Sequence, residues 1–144
     1  MSTTDALDRV LLLSSLVQAD LARFEAQEGL STARVHLLWA LGQSGPCTQR
    51  ELAGTLGVTP RNVTGLVDGL VGSGHLTREP HPGDRRATLV TPTDLGRRTV
   101  EALVESHADL ARQLFGDVPP DRLAIFVDVL DDTTRRFARL TEAT

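Results

Sequence analysis

The chain has 144 residues, 40% hydrophobic, 3% aromatic and 24% charged, enough for one globular domain with a core of Leu, Val and Ala. No apolar run approaches the roughly 20 residues that cross a bilayer. Cys47 is the sole cysteine, so an intrachain disulfide and a cysteine-rich metal site are excluded. Net charge is −4, but it is spread unevenly: residues 1–47 hold three Arg against five acids, 48–98 seven Arg against five acids, and 99–144 five Arg against nine acids. Only the middle third is basic, and a local patch matters more than the total where phosphates are to be met. No signal peptide is expected, and the expected location is cytoplasmic.

Residues Asp5 to Gln27 are predicted to form a long helix, with Leu7, Val10, Leu11, Ser14, Val17, Leu21 and Phe24 on one stripe and Gly29 ending it. Leu12, Leu13 and Leu16 widen the stripe beyond what a small core needs, which points to a subunit interface, with ordinary packing as the alternative. Ser31 is predicted to cap a second helix from Thr32 to Gln43, with Val35, Leu38, Trp39 and Gly42 on one face, broken by the following GQSGPC.

The stretch from Thr48 to Leu70, TQRELAGTLGVTPRNVTGLVDGL, reads as two helices and a tight turn. Thr48 and Glu51 have capping-box spacing: the hydroxyl is expected to take the Glu51 N–H, and the carboxylate to reach back. Leu52, Ala53 and Leu56 share one face of the first helix. Val63, Leu66, Val67, Leu70 and Val71 follow the i, i+3, i+4, i+7 spacing of the second. Gly57 suits a left-handed helix end, Thr59 a cap and Pro60 the first helical position. Small Ala53, Gly57 four residues on and Val63 six further give helix-turn-helix spacing.

Two short β-forming runs follow, 75–78 and 87–90, around the loop EPHPGDRR; they are predicted to pair as a hairpin with a basic tip. A hairpin directly after a recognition helix is a wing. Thr91-Pro92, with Asp94, repeats the Thr59-Pro60 device and is predicted to start a helix reaching about Phe115, with Val100, Leu103, Val104, His107, Leu110, Ala111 and Leu114 on its apolar face. After Gly116 to Pro120, a last helix is predicted from about Asp121 to Ala138 or beyond, carrying Leu123, Phe126, Val127, Leu130, Thr134 and Phe137 on one side.

The motif Val63-Thr64-Gly65-Leu66-Val67-Asp68-Gly69-Leu70, a following glycine, a strand with Arg78 and then Asp84-Arg85-Arg86 make the chain similar to the MarR family of bacterial transcription regulators over nearly its full length. The resemblance implies a mainly α fold with a small β-hairpin. A winged helix-turn-helix over 31–98 would be flanked by dimerisation helices at 1–28 and 99–144. It further implies a homodimer whose first and last helices interlock on a pseudo-palindromic operator in double-stranded DNA, and release by a small-molecule effector or an oxidant. The expected function is that of a repressor; a winged-helix module that binds a protein partner and reads no DNA is the alternative.

Residues near the start of a recognition helix reach base edges. Thr59, Arg61, Asn62 and Thr64 are therefore the candidates there: Arg61 for guanine, Asn62 for adenine, and Thr64 for a thymine methyl or a phosphate. Gln49, Arg50 and Arg78 are candidates for backbone phosphates. The resemblance favours Arg85 as the residue entering the minor groove and Asp84 with Arg86 as a brace for the loop. Relatives often carry Arg where this sequence has Gly65 or Gly69, so base reading is expected to rest on the start of the helix.

In the family, ligands tend to sit between the helix-turn-helix and the dimer helices, which makes His36, Trp39 and His107 the candidate effector lining here. Each also has an ordinary structural reading, Trp39 as core above all. Cys47, with Arg50 near in sequence and a helix start just after it, is placed to favour a thiolate. It lies far from the position that peroxide-sensing relatives use. His75 and His81 lack metal-ligand spacing, no cofactor is implied, and no nucleophile or phosphate-loop motif suggests an enzyme.

Overall fold

The computed structural model describes residues 1–143 and gives, in order, α1 (Thr3–Glu28), α2 (Thr32–Ser44), α3 (Gln49–Leu56), α4 (Pro60–Gly72), β1 (Leu76–Pro80), β2 (Thr88–Pro92), α5 (Asp94–Phe115) and α6 (Pro120–Glu142). The chain is mainly helical with one two-stranded antiparallel hairpin, as the sequence predicts.

Each boundary has a local cause. Ser2 starts α1 two residues earlier than periodicity suggests: its hydroxyl accepts the Asp5 N–H at 3.1 Å, and the Asp5 carboxylate accepts the Ser2 N–H at 2.7 Å. The Ser2 N–H and hydroxyl both donate to the Asp5 carboxylate, which favours its charged form and holds Asp5 below its ordinary pKa. Ser31 and Thr48 cap α2 and α3 as expected. At Thr48 the box differs in detail, since the Glu51 carboxylate accepts from the Thr48 hydroxyl at 3.1 Å rather than from its N–H. Thr59 caps α4 by accepting the Asn62 N–H at 3.2 Å, with Pro60 in the first turn.

The Thr91-Pro92 cap is a misreading. Both residues lie in β2, opposite Thr77 and Leu76. The cap of α5 is Thr93, whose hydroxyl accepts the Gly96 N–H at 3.1 Å and donates to the Gly74 carbonyl at 2.5 Å. The hairpin also sits later than predicted, with Leu76 paired to Pro92 and Pro80 to Thr88. Cys47 adds a bridge on the other edge of β2: the Val90 N–H donates to its carbonyl at 2.7 Å and its own N–H to the Val90 carbonyl at 3.3 Å.

The chain forms two compact units, Met1–Val104 and the part from Glu105 on. The core of the first joins Leu30, Val35, Leu37, Leu38, Leu41, Cys47, Leu52, Ala53, Val63, Val67, Leu70, Leu76 and Val90. It lies where α2, α3 and α4 meet the hairpin. Because α2 packs against α1, α3 and α4, its buried arc is wider than one stripe. Leu37 is therefore fully buried although it lies off the predicted face, while Trp39 is only half-buried. No residue of α1 is buried: Leu7, Leu11, Leu12 and Leu16 are more than half exposed, and only Leu21 and Phe24 lean on the core.

In the second unit the rings of Phe115 and Phe126 pack at 5.9 Å between centroids. Helix α6 buries none of its side chains, with Ile125, Val129, Phe137 and Leu140 largely exposed. Among the described residues no helix is long and apolar enough to cross a membrane.

Candidate nucleic-acid interface

Helices α3 and α4 form the helix-turn-helix. Gly57 takes φ +64°, a left-handed conformation that side-chain-bearing residues rarely adopt, and so turns the chain out of α3. The Val58 N–H returns to the Ala53 carbonyl at 3.2 Å. Val63 and Val67 are fully buried, and Ala53 nearly so, which fixes the two helices against each other.

That burial decides which face of α4 is left. Arg61, Asn62, Thr64, Gly65 and Asp68 are exposed, as are Thr59 at the cap and Arg50 in the first turn of α3. The exposed side chains are not all idle. Gln49 donates to the Thr64 hydroxyl at 2.9 Å, and that hydroxyl donates to the Pro60 carbonyl at 3.0 Å. Gln49 also accepts from Arg78 Nε at 3.0 Å, and Arg78 pairs with the Asp68 carboxylate. A hydrogen-bonded chain thus runs from α4 through α3 to β1 and back to α4. Arg78, expected at phosphate, is held inside this chain, and Asp68, which the sequence reading quoted but gave no role, completes it. The signal available in the sequence was an Asp on the outward face of α4 ten residues before a strand Arg.

The hairpin projects a tight loop. The His81 N–H donates to the Ala87 carbonyl at 3.2 Å, and the Gly83 N–H to His81 Nδ1 at 2.9 Å. Asp84 does brace the loop, though not through a guanidinium: its carboxylate accepts the Arg86 backbone N–H at 2.9 Å. Among the described residues neither Arg85 nor Arg86 has an ion-pair partner, and both side chains are exposed.

His36 is exposed and Trp39 half-buried on α2, while His107, also exposed, lies in the second unit. Cys47 departs from expectation. It is buried, and that burial pushes its thiol up from the ordinary value, outweighing the Ser44 hydroxyl 4.0 Å away; the charge it feels is Glu51, not Arg50. His75 is also buried, with Nδ1 2.7 Å from the Ser73 hydroxyl. Among the described residues no three His, Cys, Asp or Glu side chains are placed to hold a metal ion.

Two helices joined by a glycine turn, the second capped and outward-facing, with a basic hairpin tied to it by Arg78, define a winged helix-turn-helix protein. Residues 30–88 match the sequence model of the MarR family, and the crystal structure of RV1404 from Mycobacterium tuberculosis superposes with a TM-score of 0.78 at 29% identity over 94% of both chains. Over residues 30–88 the chain is similar to the MarR family, and the curated proteins it resembles are named HTH-type transcriptional regulators. The uncharacterised HTH-type transcriptional regulator YdgJ of Bacillus subtilis is 29% identical over 108 residues, 75% of this chain and 66% of its own length. CouR from Rhodococcus jostii RHA1, solved bound to p-coumaroyl-CoA, superposes with a TM-score of 0.66 at 27% identity, over 92% of this chain and 95% of CouR. The first curated relatives are matched over 66% and 50% of their own lengths, so the chain spans half to two thirds of them.

Proposed function

We propose that the chain is a sequence-specific DNA-binding repressor. It acts as a homodimer on a pseudo-palindromic operator, with α4 in the major groove and the wing in the minor groove. The observation that carries this reading is the union of two exposed basic elements through one hydrogen-bonded chain: Arg61 and Asn62 at the start of α4, and Arg85 and Arg86 at the hairpin tip. A module that only bound a protein partner would have no use for both. The positive end of α4 adds to the attraction for phosphate. The exposed apolar residues of α1 and of α6 supply faces for a second copy, and a two-fold dimer spaces its half-sites about 10 bp apart. A small ligand releases the DNA; the p-coumaroyl-CoA held by CouR supports this class of control.

The test is fluorescence anisotropy with DNA from upstream of the chain's own gene. Binding should saturate at one dimer per operator, weaken steeply with salt, and fall at least tenfold in Arg61→Ala. Salt-insensitive or absent binding across candidate promoters would sink the proposal in favour of a protein partner.

A further inference from the structure

Glycine is among the least favoured residues in a helix interior, yet α4 carries Gly65 and Gly69. The two are not alike. A Cβ on Gly65 would meet nothing within 4 Å, whereas a Cβ on Gly69 would overlap the Arg34 guanidinium, lying 2.7 Å from its Cζ and 2.8 Å from its Nε. Arg34 stands in the first turn of α2, half-buried, and its guanidinium rests directly on the α-carbon of Gly69.

Residues 61, 65 and 69 are spaced i, i+4, i+8 and so lie along one side of α4. Arg61 is the only one of them with a side chain. Arg34 lays a cation from another helix over the last position of that row. A guanidinium is always charged and offers five N–H donors, and among the described residues Arg34 has no hydrogen-bond or ion-pair partner for them. None of its nitrogens is both buried and unsatisfied, so these donors open to solvent, where an anion can take them. Position 69 lies two turns beyond the residues best placed for base edges, so the group to be met there is backbone.

We propose that Arg34 binds a phosphodiester of the DNA, and that Gly69 is the seat that holds its guanidinium beside the recognition helix. This rests on the DNA-binding reading above. It adds α2 to the interface and gives Gly69 a reason.

The test is a double-mutant cycle on the full chain. Affinity for operator DNA and for unrelated duplex is measured at several salt concentrations, alongside thermal melting. Arg34→Ala should lower both affinities by a similar factor, about fivefold or more, and reduce the log–log salt slope by about 0.9, the change for one phosphate contact. Gly69→Ala should raise the melting temperature, because Ala is the better helix former and the guanidinium it displaces is the free end of a flexible side chain. The same variant should nonetheless lose about as much affinity as Arg34→Ala, and the double variant should lose no more than either. Wild-type affinity and slope in Arg34→Ala, unimpaired binding in Gly69→Ala, or fully additive losses would each overturn the proposal. If the unmodified chain binds no DNA, the functional reading falls and takes this one with it. If Arg61→Ala is impaired while Arg34→Ala is not, only the role of Arg34 fails.

Discussion

Arg78 of β1 and Asp68 of α4 form an ion pair across the junction of wing and recognition helix, and Gln49 of α3 accepts from Arg78 Nε at 3.0 Å beside it. The pair is open to water, with side chains 32% and 60% exposed, and exposed pairs contribute about 0–1 kcal/mol to stability. Its consequence is orientation: Arg78 ties the wing to α4, and under the proposed function this lets both meet the same DNA. Asp68→Ala should therefore shift the melting temperature by only a few degrees while weakening operator binding about tenfold, or about 1.4 kcal/mol. Calorimetry and anisotropy on the same preparations check this. Losses that track stability alone would reduce the pair to an ordinary surface contact.

The Thr64 hydroxyl accepts from Gln49 and donates to the Pro60 carbonyl. Its single proton is used within the chain, so it has none to give a phosphate. We propose that what Thr64 offers to DNA is its methyl group, a match for the methyl of thymine. Removing one such apolar contact costs about 0.8 kcal/mol, near fourfold in affinity. Thr64→Ser, which keeps the hydroxyl, should bind operator about fourfold more weakly. Replacing the contacted thymine by uracil should cost the unmodified chain the same and the Ser variant nothing further. A uracil scan with no sensitive position would rule the contact out.

Arg85 and Arg86 are exposed in a loop whose shape is set by backbone bonds and by Asp84, so removing a guanidinium leaves the wing standing. A narrow A·T minor groove concentrates negative potential and attracts an inserted Arg. Arg85→Ala should weaken binding with the greater loss on operators whose flanks are A·T-rich. Equal losses on A·T-rich and G·C-rich flanks would assign Arg85 to phosphate instead.

How much of this was legible in the sequence depended on whether the signal was local. The caps at Ser31, Thr48 and Thr59 and the turn at Gly57 are set by residues within a few positions, and the structure places them as read. The cap of α5 was misassigned because Thr91-Pro92 copies a local pattern, while the hairpin register that puts those residues in β2 pairs them with Thr77 and Leu76, 14 and 16 residues away. Leu37 was missed because α2 is covered from more than one side, which a single stripe cannot express. The site followed the same rule. Arg61 and Asn62 could be placed from helix geometry alone, whereas the ties of Arg78 to Asp68 and of Arg34 to Gly69 join elements apart in sequence. The pull toward a thiolate expected at Cys47 fails for that reason too: sequence put Arg50 near it, and the fold put it in the core.

Cys47 offers a direct check on that correction. Burial raises its pKa, so the thiol stays protonated through neutral pH and is a poor nucleophile there. Alkylation of the folded chain by iodoacetamide should be slow at pH 7 and speed up on denaturation. Cys47→Ser should leave DNA binding, and its response to peroxide, unchanged. Rapid labelling of the folded chain at neutral pH would restore Cys47 as a candidate sensor.

His75 sets a pH dependence whose sign can be worked out. Burial lowers its pKa from the ordinary 6.5, and the nearby charge of Glu28 opposes this without cancelling it. The unfolded chain therefore takes up a proton near pH 6.5, while the folded chain does so only at lower pH. Between those values the unfolded state binds more protons, so stability is fully present above about pH 6.5 and is lost as the pH falls through the folded value. Urea midpoints at pH 7.5, 6.5 and 5.5 should fall for the unmodified chain. His75→Gln removes the titrating group, and its midpoint should start lower, because the 2.7 Å contact with Ser73 is disturbed, but fall less steeply across that range. Carboxylates titrate in both proteins, so the difference between the two slopes isolates His75. Parallel slopes would show that its proton does not distinguish folded from unfolded chain.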